Sequence, residues 1–315
     1  MRRSSYLIEF WYFLNNQVAL WLTFPLQFLI LALKIILIFK NFYSGCVPYS
    51  IMIQTEISIM QHKQSRKTIF ITLSIVVVFF LGWELGVFLT GTPVYLLPAP
   101  SRVIQTLLSH PDTFAQATFL TLGEALTGLL IGVLAGLLLA SVLTLLPGFE
   151  DGVMTLAILI KSTPMVAIAP LLTLWLGFGV LPKIIITALM SFFPVLINVL
   201  SGMQRVDPAL HDLFKSWNAS RWEIFRYLRA PSAIPYLFTA LKITGPLSLI
   251  GAVVAEWTGA SGGLGRTMWM AYTNLNLPFL FAAIFILAAA GMIIYRIITW
   301  SEAKAVFWQP AQTNS

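Results

Sequence analysis

Apolar runs long enough to cross a bilayer recur six times between Thr68 and Thr299. A helix needs about 20 mostly apolar residues to traverse the hydrocarbon core. The first run, "TIFITLSIVVVFFLGWELGVFL", covers Thr68 to Leu89, and the second runs from Phe119 to Leu146. The third falls within Met154 to Leu176, the fourth within Lys183 to Met203, the fifth spans Pro235 to Trp257 and the sixth Pro278 to Thr299. Charged residues make up 10% of the chain, against roughly 25% in soluble domains. So few charges leave lipid as the solvent for much of the surface. The pattern reads as an all-α polytopic membrane protein with about six core transmembrane helices. Residues 1–59 form an atypical N-terminal extension whose apolar run, Val18 to Leu33, can supply an extra hydrophobic helix. Arg2 and Arg3 give it a basic start, but no small-residue cleavage site follows as a signal peptide requires. Met60, opening "MQHKQSRKT" ahead of the first span, is the expected natural start.

The formal net charge is +7, and in a membrane protein its distribution reports orientation. With the segment before Thr68 in the cytoplasm, the cytoplasmic segments hold Lys63, Arg66, Lys67, Arg205, Lys215, Arg221, Arg226, Arg229, Arg296 and Lys304. The external segments then hold Arg102, Lys183 and Arg266. The expected arrangement is multi-pass in a bacterial-type plasma (inner) membrane, with the N-terminus of the six-helix core and the C-terminus both cytoplasmic.

That orientation puts one polar island, "VDPALHDLFKSWNASRWEIFRYLRAPSAIPY" from Val206, in the cytoplasm between the fourth and fifth spans. Asp207 and Pro208 form an N-cap followed by proline at the first helical position. Leu210, Leu213, Phe214 and Trp217 recur at helical spacing. Asn218 suits a left-handed helix end. Ser220 and Glu223 form a capping box that starts a second helix, and Pro231 is expected to stop it. Three readings fit: a solvated loop lying on the bilayer, a DNA-reading helix-turn-helix, and a docking knob for a soluble partner. The DNA reader would be tethered between two spans, so no nucleic-acid partner is expected. The knob accounts for a folded loop rich in Trp and Phe.

The chemistry-bearing residues are sparse. Cys46 is alone, and His62, His110 and His211 are scattered, so no metal site and no catalytic cluster is expected. "GASGGLGRT", from Gly259 to Thr267, lacks the lysine of a phosphate-binding loop and reads as a flexible external turn. Gly128, Gly132 and Gly136 recur every fourth residue, a face for close helix packing. Glu84, Glu124, Lys242 and Glu256 lie in or at the ends of apolar runs. Lys242 and Glu256 sit near span ends, where snorkelling is easy. Glu124, among small residues, is the candidate pathway charge. Ser191 and Asn198 are polar lining groups or bonds between helices. Pro164 and Pro170 bracket "MVAIA" and are expected to kink the third span.

The island sequence, with "LLPAPSRVIQTLL", "STPMVAIAPLLTLWLGFG", "FFPVLIN" and "GAVVAEWTGASGGLG", resembles type I ABC importer permeases of the branch that includes nitrate, sulfonate, taurine, riboflavin and thiamine-precursor transporters. That family carries Glu-Ala-Ala, three residues, then Gly in its coupling loop. Asp212 falls on the Glu, Leu213 and Phe214 on the alanines, and Asn218 on the Gly; Ala219 and Ser220 match the continuation. The resemblance implies a cytoplasmic coupling helix between the fourth and fifth spans. It implies a permease domain over 117–301, after a first helix and external segment at 60–116 and before a cytoplasmic tail at 302–315. It also implies a cytoplasmic ATPase subunit pair carrying ATP and Mg, with no cofactor and no catalysis in this chain. An extracytoplasmic substrate-binding protein and a second permease subunit, by default a homodimer, complete the expected complex. A secondary transporter driven by an ion gradient is the alternative. It would need midplane coupling carboxylates and usually internal repeats, and it gives the island no task.

Overall fold

The computed structural model describes residues 53–146 and 148–307, with side chains from Phe70 onward. The apolar run Val18–Leu33 and residues 308–315 of the tail lie outside the described residues. So does all of the proposed extension except residues 53–59. The described residues form helices α1 (Ile53–Thr90), α2 (Pro100–Ser109), α3 (Pro111–Leu145), α4 (Glu150–Lys161), α5 (Met165–Leu176) and α6 (Val180–Gln204). They continue as α7 (Pro208–Ser216), α8 (Arg221–Ile224), a π-helical turn (Phe225–Arg229), α9 (Ala230–Trp257), α10 (Leu264–Thr273) and α11 (Leu277–Ala305). No strand occurs among them.

Five helical stretches are long and apolar enough to cross a membrane: Phe70–Thr90, Pro111–Leu145, Val180–Gln204, Arg221–Trp257 and Leu277–Ala305. The expected third span departs from a single helix. It is the pair α4 and α5, bent by 88° at the break between them. Pro164 explains the break. Its backbone is extended (φ −61°, ψ 113°), its nitrogen cannot donate, and its ring disfavours a helical Thr163. Pro170 lies inside α5 without ending it.

The register of α3 on α6 fixes the topology. Lys183 Nζ meets Glu124 Oε1, and Thr144 Oγ1 meets Met203 Sδ; both pairs are 59 residues apart. A constant offset means that the two helices run parallel. The chain must therefore return between them, and the α4–α5 pair is the segment available to do so. A Cβ placed on Gly128 would lie 2.5 Å from Thr187 Cβ, one on Gly132 would lie 2.9 Å from Ser191 Cβ, and one on Gly136 would lie 3.0 Å from the carbonyl oxygen of Phe192. The glycine stripe thus lets α3 pack with its backbone against α6, as the four-residue spacing predicts. Tyr236 covers Gly202, while Thr187 and Met190 face Gly251, so α9 runs antiparallel to α6. Ile294 and Ile298 face Gly245, so α11 packs along α9.

Small residues dominate the enclosed positions. Ala125, Leu249, Ala252 and Ala290 join α3, α9 and α11. Ala140, Leu143, Val199, Leu200 and Ala233 form a core at the end that carries the island. At the opposite end Val103, Phe114, Ala117, Leu264, Ala282 and Ala283 bring α2, α3, α10 and α11 together. Large apolar side chains such as Phe79, Phe88, Leu130 and Leu174 point outward. This distribution suits lipid, where packing favours small residues between helices and the solvent is itself apolar.

Candidate coupling site and a buried charged cluster

The island folds as a capped peg. Asp207 Oδ1 accepts from Ala209 N–H at 2.9 Å and opens α7. Asn218 takes the left-handed conformation (φ 56°). There its N–H donates to the Lys215 carbonyl at 2.9 Å, while Ala219 N–H donates to the Phe214 carbonyl at 3.0 Å. Ser220 caps α8: Glu223 N–H donates to Ser220 Oγ at 3.2 Å, and Ser220 N–H donates to Glu223 Oε2 at 2.7 Å. Such a cap contributes about 1 kcal/mol to holding the helix start.

Pro231 does not stop the second helix. The chain continues from Arg221 to Trp257 as one apolar-spanning element, passing through the π turn at Phe225–Arg229. Ala230 N–H donates to the Phe225 carbonyl, five residues back. The wider turn admits the proline ring, which in a regular helix would clash with the carbonyl four residues earlier. The fifth span and the island's second helix therefore form one continuous rod.

Asp212, Leu213, Phe214, Asn218, Ala219 and Ser220 all lie on this peg. Asp212 is exposed and 4.0 Å from Lys215; Leu213 is exposed and Phe214 half-buried. Trp217 lies beside Phe214 and Trp222 stacks on Phe225 at 5.4 Å, yet they stay 71% and 56% exposed.

The pathway candidates scatter along the bundle. Ser191 is enclosed between α3 and α6 and donates to the Thr187 carbonyl on its own helix. Asn198 is half-buried and donates to the Pro194 carbonyl, again on its own helix. Glu124 is 4% exposed and pairs at 2.5 Å with Lys183, itself 8% exposed. Lys183, expected among the external charges, points into the bundle. Glu256 does not snorkel; it is fully buried. It accepts from Thr121 Oγ1 at 2.7 Å and from Gly265 N–H at 2.5 Å, and Leu264 N–H donates to Thr121 Oγ1 at 2.8 Å. Gly263 (φ 105°) lies against that carboxylate with no room for a Cβ. "GASGGLG" is consequently a hydrogen-bonded turn tied to Glu256 and Thr121, not the flexible turn expected. A buried carboxylate needs such donors, and the Thr121 hydroxyl and the Gly265 N–H provide them.

Sequence reasoning misses this cluster because it weighs the charges singly. The signal is present as spacing. Glu124 continues the glycine stripe one step back, and Lys183, Thr187 and Ser191 recur every fourth residue on the facing helix. Lys242 pairs with Glu302 across α9 and α11, and Glu84 accepts from Ser101 Oγ at 2.7 Å.

The chain is thus a bundle of membrane-crossing helices with a capped peg fused to the fifth span. Residues 132–306 match the family described as binding-protein-dependent transport system inner membrane component, and the chain belongs to it. It is a membrane-spanning permease subunit of an ABC importer. It is 31% identical over 231 residues to the formylaminopyrimidine transport permease protein ThiX of Halalkalibacterium halodurans, covering 73% of this chain and 92% of that one. It is 32% identical over 243 residues to the riboflavin transport system permease protein RibX of Chloroflexus aurantiacus, covering 76% and 89%. Its fold resembles a chain from the crystal structure of a bacterial ABC transporter involved in the import of the acidic polysaccharide alginate. That likeness has a TM-score of 0.54 at 15% identity, over 78% of this chain and 99% of that one.

Proposed function

We propose that the 206–231 loop is the force-transmitting contact to a separate cytoplasmic ATPase pair, and that ATP and Mg are bound and ATP hydrolysed there. The observation that carries this reading is the continuity of the rod from Arg221 to Trp257, with α7 clamped to its end by the Asn218 turn and the Ser220–Glu223 box. A peg that hinged on a loose loop would absorb the motion of a partner. A capped peg on a continuous helix passes it to the fifth span. Asp212 supplies a charged contact, and Leu213, Phe214, Trp217 and Trp222 supply apolar area that a groove on the ATPase would cover.

Sidedness follows from charge. Parallel α3 and α6 put Arg205, Lys215, Arg221, Arg226, Arg229, Arg296 and Lys304 toward the island end, with Arg102 and Arg266 at the other. The basic end is cytoplasmic by the positive-inside rule. The opposite end then receives a substrate-binding protein, and the outward groove of about 400 Å³ beside Arg266, Ser261 and Asn274 is the surface offered to it. Two copies of the chain form the pathway. The heterocycle permeases ThiX and RibX are 31% and 32% identical, and the sulfonate and taurine permeases 27–28%, which makes nitrogen-heterocyclic vitamins and their precursors the first substrates to test. The experiment is co-purification of the chain with its ATPase, followed by hydrolysis assays with loaded binding protein. Stimulated hydrolysis that Asp212→Arg with Ala219→Trp abolishes supports the reading; undiminished stimulation refutes it.

A further inference from the structure

We propose that the pocket between the island and the end of α3 binds the phosphate group of an anionic phospholipid. The pocket has a volume of about 250 Å³ and is lined by Thr144, His211, Lys215, Arg221, Phe225 and Arg229 among others. Three of these residues carry a permanent positive charge, and none of the lining residues is acidic. His211 and Lys215 stand one turn apart on α7 and so share a face. Arg221 enters from the first turn of α8. Arg229 comes from the π turn and donates through Nη1 to the Thr144 carbonyl at 3.4 Å. That bond orients the guanidinium and leaves most of its five donors for a ligand.

The nearby acids do not neutralise the pocket. Asp212 approaches Lys215 only to 4.0 Å, and both side chains are mostly exposed, a geometry worth little in water. Glu223 is engaged by the backbone and hydroxyl of Ser220. A concave site with three cations and no counter-charge calls for an anion. Its volume lies below the roughly 300–1,000 Å³ of pockets that enclose a drug-sized ligand, so it takes a compact group.

Depth selects the source of that group. The pocket lies at Thr144 and Leu145, the last residues of the apolar helix α3, and hence at the level where hydrocarbon gives way to headgroups. On the same stretch of chain Trp222 and Tyr227, 56% and 62% exposed, are amphipathic rings of the kind that favour this level. Basic pockets beside span ends at this depth suit phospholipid headgroups. The inference rests on the spans crossing a bilayer and does not depend on the ATPase contact.

Native mass spectrometry of the full-length chain, purified in detergent and offered phosphatidylglycerol or phosphatidylcholine, tests it. The wild type should retain phosphatidylglycerol selectively. Lys215→Gln with Arg221→Gln should weaken that retention roughly 30-fold, the factor expected for two basic residues lost near an anionic headgroup. The charge-matched pair Arg205→Gln with Arg296→Gln should leave it unchanged. Equal retention by both double variants would overturn the proposal. So would binding of inorganic phosphate without retention of phosphatidylglycerol. Loss of ATPase co-purification in Lys215→Gln with Arg221→Gln, while lipid retention stays intact, would give the pocket to the protein partner and also overturn it.

Discussion

Replacing Lys183 by Met should destabilise the bundle by about 3–5 kcal/mol, the cost of leaving a buried charge without its partner. Glu124 is 4% exposed and its Oε1 has Lys183 Nζ at 2.5 Å. Its Oε2 is buried without any hydrogen-bond partner, so no other group can take over. Loss of the lysine leaves the buried Glu124 carboxylate without its counter-charge. Removing both members of the pair, as Glu124→Leu with Lys183→Met, should recover most of the loss, because Glu256 keeps its donors from Thr121 and Gly265 and a well-packed apolar pair can equal a buried ion pair. Unfolding in sodium dodecyl sulfate, followed by tryptophan fluorescence, gives the four corners of the double-mutant cycle. A Lys183→Met protein within about 1 kcal/mol of wild type, or additive single and double variants, would refute the claim that the pair is enclosed and interdependent.

The remaining predictions concern packing and the lever. Gly132→Val drives a side chain into the Ala188 carbonyl and Ser191 and should cost at least 1–3 kcal/mol in the same assay, the usual penalty of overpacking. Ser220→Ala removes the cap of α8. It should cost about 1 kcal/mol and lower substrate-stimulated hydrolysis more than basal hydrolysis; equal reduction of both would count against a lever. Deleting Arg226 converts the π turn toward a regular helix and rotates the island by about 100° about the fifth span, one residue of helix. Folded protein with uptake lost is the expected outcome, read by membrane insertion and substrate transport together. Gly263→Ala places a methyl group on the Glu256 carboxylate and should destabilise by about 1 kcal/mol or more in the same detergent titration.

Local signals carried much of the fold. The spans, the Asp207 cap, the left-handed Asn218 and the Ser220–Glu223 box are encoded within a few residues of sequence, so periodicity and turn chemistry reach them. What escapes is of two kinds: the backbone geometry around a proline, and charges paired with partners distant in the chain. Pro231 reads as a helix stop, yet a π turn set up by Phe225–Arg229 lets the rod pass through it. Pro164, expected to kink the third span, does so to the point of dividing it into two helices at a steep angle. The Glu256 carboxylate finds Thr121 at a separation of 135 residues, and the Glu124–Lys183 pair depends on the 59-residue register of α3 on α6. The glycine stripe announced that contact face, but only the facing helix shows which charge meets which.

The side of the membrane that the peg faces is open to direct measurement. With Cys46→Ser as background, Asp212→Cys and Ala219→Cys can be probed with a membrane-impermeant thiol reagent in intact cells and in inside-out vesicles. Labelling in inside-out vesicles alone, and protection when the ATPase is assembled, is the predicted result. Labelling of either position from the outside of intact cells would contradict it and leave the rigid peg without an engine to meet.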